Sequence, residues 1–221
     1  MRSRPGRGAI VVLIVCGLLA PGATPLARAQ DLPTAADLPV TADPALCQVA
    51  PRPIAFFEQY VGTPAALADA TPGGEATAEA ASTLDGFVPP TGEPADAATV
   101  DAVVATAIEV TACFNAGDIL RAFALFSDNV ITGFASEDPL AQADLDAMAA
   151  APVPLPADQQ ESVLAIRDVI VLPDGRAAGF LDFEFVGDYR ETQYVVLIEE
   201  GGRWLVDEIL LFAPLEGTPA P

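Results

Sequence analysis

The hydrophobic period changes once along this chain, near residue 156, and that change limits what the chain can fold into. Upstream, Val100, Val103, Val104, Ala107, Ile108 and Thr111 recur at the spacing of a helix with one apolar face. Downstream, ESVLAIRDVIVL, RAAGFLDFEFV, ETQYVVLIE and RWLVDEILLF either alternate apolar and polar residues or run apolar, which is the pattern of strands. The PDG between Leu172 and Arg176 and the EEGG between Ile198 and Arg203 suit hairpin turns, and Gly187-Asp188 marks the connection between the two hairpins. Three helices followed by a four-stranded antiparallel meander predict an α+β domain, its helices packed on one face of a curved sheet.

Local punctuation sets the expected boundaries. Asp96 is placed to cap the first helix, and Gly117 suits the left-handed residue that ends it. Asp118 caps a second, short helix that carries Leu120, Phe123 and Ala124. Ser127-Asp128-Asn129 reads as a turn and the following VITGF as a short strand. Asp138-Pro139 reads as the start of a third helix, with Pro at its first position, running to about Ala150, where APVPLP breaks it.

The ends of the chain have a different character. Arg2, Arg4 and Arg7 precede an apolar stretch from Ala9 to Ala20, which is short for a bilayer span, and Ala27-Arg28-Ala29 has the small-x-small form of a signal peptidase site. Residues 1–29 are therefore expected to be a signal peptide cleaved after Ala29, delivering the rest to the cell envelope or medium with no stable membrane insertion; an uncleaved anchor is the other reading. Cys16 follows Leu-Ile-Val and lacks the small preceding residue of a lipid-attachment site. Residues 30–62 hold CQVAPRPIAFFEQYVG, where Ile54, Phe56, Phe57 and Tyr60 fit one edge of a short helix. Residues 63–95 are rich in Ala, Thr, Gly, Pro and acids and read as a linker. Residues 96–213, about 118 in number, are of ordinary single-domain size, and 214–221 read as a loose tail.

Charge and chemistry narrow the function. The chain carries −21, and loss of residues 1–29 removes four of the 10 basic residues and none of the 31 acids, leaving −25. Such a surface repels nucleic acid and anionic lipid. Every basic residue is Arg and there is no His, which removes the commonest general base and zinc ligand. No calcium-loop pattern is present, so neither a metal nor a cofactor is expected. Cys47 and Cys113 remain after cleavage; an even pair in an exported chain suggests a disulfide, whereas a catalytic thiol would have no His partner. Cys113 falls beside Thr106, Glu109 and Val110, off the apolar stripe, so the bond would strap the Cys47 segment over the outer side of the first helix.

From ACFNAGDILRAFALFSDN, through VITGF, to the closing GGRWLVDEI, residues 96–213 resemble the nuclear transport factor 2-like, or SnoaL-like, superfamily. The resemblance implies a cone in which a curved sheet wraps the helices around a deep pocket, and it implies pairing of two copies through the sheet. Its members include ketosteroid isomerases, polyketide cyclases, epoxide hydrolases and many proteins without catalysis, so it speaks to fold more than to activity. Where the isomerases place an oxyanion-donating Tyr and a basic Asp, this chain has Val110 and Phe134.

Candidate site residues follow from this. Phe134, Phe183, Tyr194 and Trp204 are the expected lining of a pocket for a small apolar ligand, with no catalytic residue assigned. A non-catalytic exported domain binding such a ligand or a protein partner is the leading expectation. An isomerase, cyclase or hydrolase using Asp182, Glu184 or Asp207 is the alternative, and a structural envelope protein is a third. The alternation of Asp182 and Glu184 with Leu181, Phe183 and Phe185 points those acids to a solvated face; the catalytic reading needs them inside the cone. Asp207 and Glu208 are adjacent, so only one is expected to face a pocket. Arg167 is expected on the outer sheet face beside an acid.

Overall fold

In the computed structural model, residues 34–62, 86–137 and 140–215 are described. The expected signal peptide and Cys16, most of the expected linker (63–85), the Asp138-Pro139 helix start and residues 216–221 lie outside them. The central element is α2 (Ala97–Asn115). Its first turn is capped as expected: the Asp96 carboxylate accepts the Thr99 N–H at 2.8 Å. The predicted stripe from Val103 to Thr111 is buried, but so are Thr106, Glu109 and Cys113 on the other side, and Asn115 in the last turn. The helix therefore has two covered faces. It is the one helix among the described residues long and apolar enough to cross a membrane, and the structure uses it as the core helix.

The sheet covers one face. Strands β3 (Ser162–Val171), β4 (Ala177–Glu184), β5 (Arg190–Glu200) and β6 (Arg203–Pro214) form the predicted antiparallel meander. Gly201 (φ 60°) and Gly202 (φ 79°) supply the two left-handed residues of the β5–β6 turn. Two further strands enlarge the sheet to six: β1 (Val40–Thr41) pairs with the start of β3, and β2 (Glu93–Pro94) pairs with its end. The architecture is α+β with an antiparallel sheet, as expected.

The N-terminal segment covers the other face of α2. Cys47 and Cys113 are joined in a disulfide that closes 66 residues of chain. The fully buried Asn115 side chain donates to the carbonyls of Ala42 (2.8 Å) and Glu161 (3.0 Å) and accepts the Glu161 N–H (2.8 Å), tying the segment to the entry of β3. Arg52 donates to the carbonyls of Phe123 (3.0 Å) and Phe126 (2.6 Å) and stacks over Phe56, which lies on the short helix α1 (Ala55–Glu58). Arg121 donates to the Cys47 carbonyl at 3.0 Å.

Four expectations are corrected. After α3 (Ile119–Ala122), which Asp118 caps as expected, Ser127-Asp128-Asn129 and VITGF form neither turn nor strand but the helix α4 (Asp128–Glu137). The β-branched Val-Ile-Thr run suggests a strand, but Val130, Ile131 and Ala135 share one buried helical face, and packing overrides propensity. The following helix, α5 (Gln142–Met148), starts later than Asp138-Pro139, at the point where Asp144 accepts the Ala141 N–H at 2.7 Å. Residues 86–95 of the expected linker dock on the sheet: Phe87 lies 5.0 Å from Tyr194 and 6.2 Å from Phe180, because the sheet's outer face is apolar there and takes an aromatic cover. Pro214 belongs to β6 rather than to a loose tail, and the Leu215 N–H donates to the Arg190 carbonyl.

The turn after α2 depends on Gly117, which has φ 67°; a Cβ there would lie 2.3 Å from the Val153 carbonyl oxygen. Gly117→Ala should destabilise the protein by more than about 1 kcal/mol, through both the positive φ and the clash. Chemical denaturation measures this. Reduction of the disulfide, or Cys47→Ser with Cys113→Ser, should cost up to about 4 kcal/mol in the chain-entropy account, seen as a lowered melting temperature. An unchanged melting temperature on reduction would contradict the strap.

Candidate functional site

Alternation along the strands sorts side chains onto two faces. Leu181 and Phe183 of β4, Val195 and Leu197 of β5, and Val206 and Ile209 of β6 face α2 and the residues packed beside it. Ala107 and Val110 face them from the helix, and Phe126 closes one side. These side chains do not fill the space between them. They line a cavity of about 40 Å³, measured by where the centre of a water molecule can go, and its one polar lining residue is Gln193. By that measure it has room for a few waters or for a short apolar group.

The polar rim is built around Gln193. Its amide donates to Glu191 at 2.6 Å, and the Tyr189 hydroxyl donates to the same carboxylate at 3.2 Å. Register places Glu191 opposite Phe183 and Gln193 opposite Leu181, so both share the inner face. On the other side, Gln193 lies opposite Phe212, which is 45% exposed. Phe183 contacts Phe185 at 6.0 Å, and Phe185 contacts Tyr189 at 6.1 Å. Glu161 lies just before β3, where its backbone N–H donates to the Asn115 side chain. Burial, and then the negative charge of Glu191, push its carboxyl above the ordinary Glu value. Glu161, Tyr189, Glu191 and Gln193 were not among the sequence candidates. The signal was available in β5, where Glu191 and Gln193 keep step with the inward Val195 and Leu197.

The four predicted lining residues do not come together. Phe183 lines the cavity. Tyr194 lies on the opposite, outer face among Phe87 and Phe180; its hydroxyl is buried without a hydrogen-bond partner among the described residues, and burial pushes its pKa up. Trp204 is half-buried near the start of β6, where its carbonyl accepts the Thr106 hydroxyl. Phe134 is 41% exposed on α4.

The candidate acids are held elsewhere. Asp182 is on the outer face as alternation predicts, but it is buried rather than solvated: Arg167 grips it at 3.0 and 2.9 Å and Thr192 donates at 2.7 Å. Burial alone would raise its pKa, but the hydrogen bonds from Arg167 and Thr192 outweigh it and hold the carboxyl below the ordinary value. Arg167, on the outer face beside an acid as expected, also lies over the Phe180 ring at 5.2 Å. Glu184 pairs with Arg190 at 2.6 Å. Asp207 accepts from Ser127 at 2.7 Å and Arg176 at 2.9 Å, while Arg176 also holds Glu208. Neither Asp207 nor Glu208 lines the cavity. No group of acids and thiols suited to hold a metal occurs among the described residues.

No protein-family model, curated protein or solved structure matches the chain.

The raised Glu161 gives a pH test with a definite sign. A carboxyl whose folded pKa lies above its unfolded value destabilises the fold as pH rises through that interval, and the penalty is full above the folded value. Glu161→Gln should therefore melt higher than the unaltered protein at pH 7. The difference should shrink away toward about pH 3.5, where the Glu161 carboxyl is protonated in both states. Equal melting at pH 7 would show that the charge is not penalised.

Proposed function

We propose that residues 96–213 form an exported, non-catalytic domain of the nuclear transport factor 2-like kind, and that it binds the apolar part of a small molecule between α2 and the inner sheet face. The observation that carries this reading is the cavity itself: nine of its ten lining residues are apolar, and none is a nucleophile or a general base. The order of elements agrees with that superfamily: helices first, then an antiparallel meander with α2 against it. Val110 lies in the cavity wall at the position where an isomerase would place a proton-donating Tyr, so the wall there offers no hydroxyl. The carboxylates that an enzyme would use are committed to arginines away from the cavity. Export is supported by the disulfide, which persists in oxidising compartments.

Titration with 1-butanol, followed by methyl resonances, tests the reading. Val110, Val195 and Leu197 should shift saturably in the unaltered protein and stay unmoved in Val195→Phe, which fills the cavity. Absence of any saturable shift at these three residues would refute it.

A further inference from the structure

Residues 86–95 reach the outer face of the sheet in two halves that are held differently. The second half is anchored to β3. Glu93 and Pro94 pair with Val171 and Ile170, and the Ala95 N–H donates to the Val169 carbonyl at 3.0 Å. At Gly92 the backbone comes so close that a Cβ would lie 2.5 Å from the Val171 carbonyl oxygen. The first half has no such ties. Among the described residues no hydrogen bond joins residues 86–91 to the rest of the chain, and Val88 is 83% exposed. Phe87 is the contact of this half with the apolar cluster of the outer face. Its ring lies 5.0 Å from Tyr194 and 6.2 Å from Phe180, and those two rings stand 4.7 Å apart at 72°. With Leu172, Val196 and Leu211 they form a slot that one benzene ring occupies.

The slot holds a polar atom that Phe87 cannot serve. Tyr194 is 1% exposed, and strand side chains stand roughly perpendicular to the sheet. Its hydroxyl is therefore the part of the side chain farthest from the sheet, and it is buried because other groups lie over it. That hydroxyl has no hydrogen-bond partner among the described residues. A buried Tyr hydroxyl ordinarily has one, and leaving it unmet costs stability. The Phe87 ring shields Tyr194 from water and offers neither donor nor acceptor. A loosely tethered ring thus sits beside a hydroxyl that a different occupant would satisfy.

We propose that Phe87 is an exchangeable occupant of a second binding site, on the outer sheet face, whose ligand class is a small monocyclic phenol. The ligand's ring takes the place of the Phe87 ring, and its hydroxyl pairs with that of Tyr194. A free small molecule suits the slot better than a peptide, because the edge of β3 where a peptide backbone would pair is already taken by β1 and β2. The site lies across the sheet from the cavity, and it stands or falls separately from it.

4-Methylphenol and toluene, titrated separately into the whole protein with the aromatic resonances of Phe180 and Tyr194 as the readout, test this. In Phe87→Ala, which empties the slot and leaves β2 in place, both should bind saturably, and 4-methylphenol at least about threefold more tightly, as one net hydrogen bond allows. The phenol is the better hydrated of the two, so a slot without the hydroxyl contact would rank them the other way. Tyr194→Phe added to Phe87→Ala should reverse the ranking, read at Phe180. The unaltered protein, in which Phe87 must be displaced, should bind 4-methylphenol at least about tenfold more weakly than Phe87→Ala, a difference of about 1.4 kcal/mol. Phe87→Leu, which leaves a smaller plug, should fall between them. Val110 and Leu197 of the inner cavity should stay unmoved throughout. Absence of a saturable shift in both Phe87→Ala and Phe87→Leu would overturn the site. Toluene binding as tightly as 4-methylphenol in Phe87→Ala, or a preference that survives Tyr194→Phe, would overturn the phenol assignment. Equal affinity of Phe87→Ala and the unaltered protein would overturn the exchange with Phe87.

Discussion

The structure depends on how the second face of α2 is covered. A helix packed on a single sheet needs one apolar stripe, but Thr106, Glu109, Cys113 and Asn115 are also buried here. The N-terminal segment covers Cys113 and Asn115 and is held by a covalent bond at Cys47, by the three hydrogen bonds of Asn115 and by the guanidinium groups of Arg52 and Arg121, whereas β6 covers Thr106 and Glu109 through the Trp204 carbonyl and Arg203. The N-terminal ties fix the helix from outside the sheet. Ala107 and Val110 meet the inner sheet face across a small cavity.

Charge is partitioned by the same architecture. With so few cations, each arginine among the described residues has a structural task. Arg167 caps the buried Asp182 on the outer face, Arg176 keeps Asp207 and Glu208 compatible at the edge strand, and Arg203 covers Glu109 on α2. Pairs between exposed side chains add little to stability, but those that reach a buried carboxylate prevent an uncompensated charge in the interior.

Much of this was legible in the sequence. The change of period marked α2 and the four long strands, Asp96 and Asp118 marked the starts of α2 and α3, and the expected export of the chain pointed to the pairing of Cys47 with Cys113. The pocket was less legible, because its lining depends on which face of each strand meets the helix. Phe183 fell on the inner face and Tyr194 on the outer, although both are aromatic residues in neighbouring strands. Asp182, Glu184 and Asp207 drew attention as acids within apolar runs, whereas Glu191, bonded to the cavity-lining Gln193, sits near the start of β5, which looks like an ordinary polar end. The helix from Asp128 to Glu137 was hidden for a related reason: its β-branched residues favour a strand locally, and only the tertiary surface they cover selects the helix. The docking of Phe87 on Tyr194 was likewise invisible within a stretch of linker-like composition.

The central claim is that the space between α2 and the inner sheet face is a dry apolar cavity able to take a guest. Diffraction from crystals pressurised with xenon tests it most directly, because xenon enters dry apolar cavities and has no use for a polar one. The account predicts a xenon atom bounded by Val110, Phe183 and Val195. Ordered water bound to Gln193 in that space, or side chains collapsed into it with no xenon present, would contradict the account.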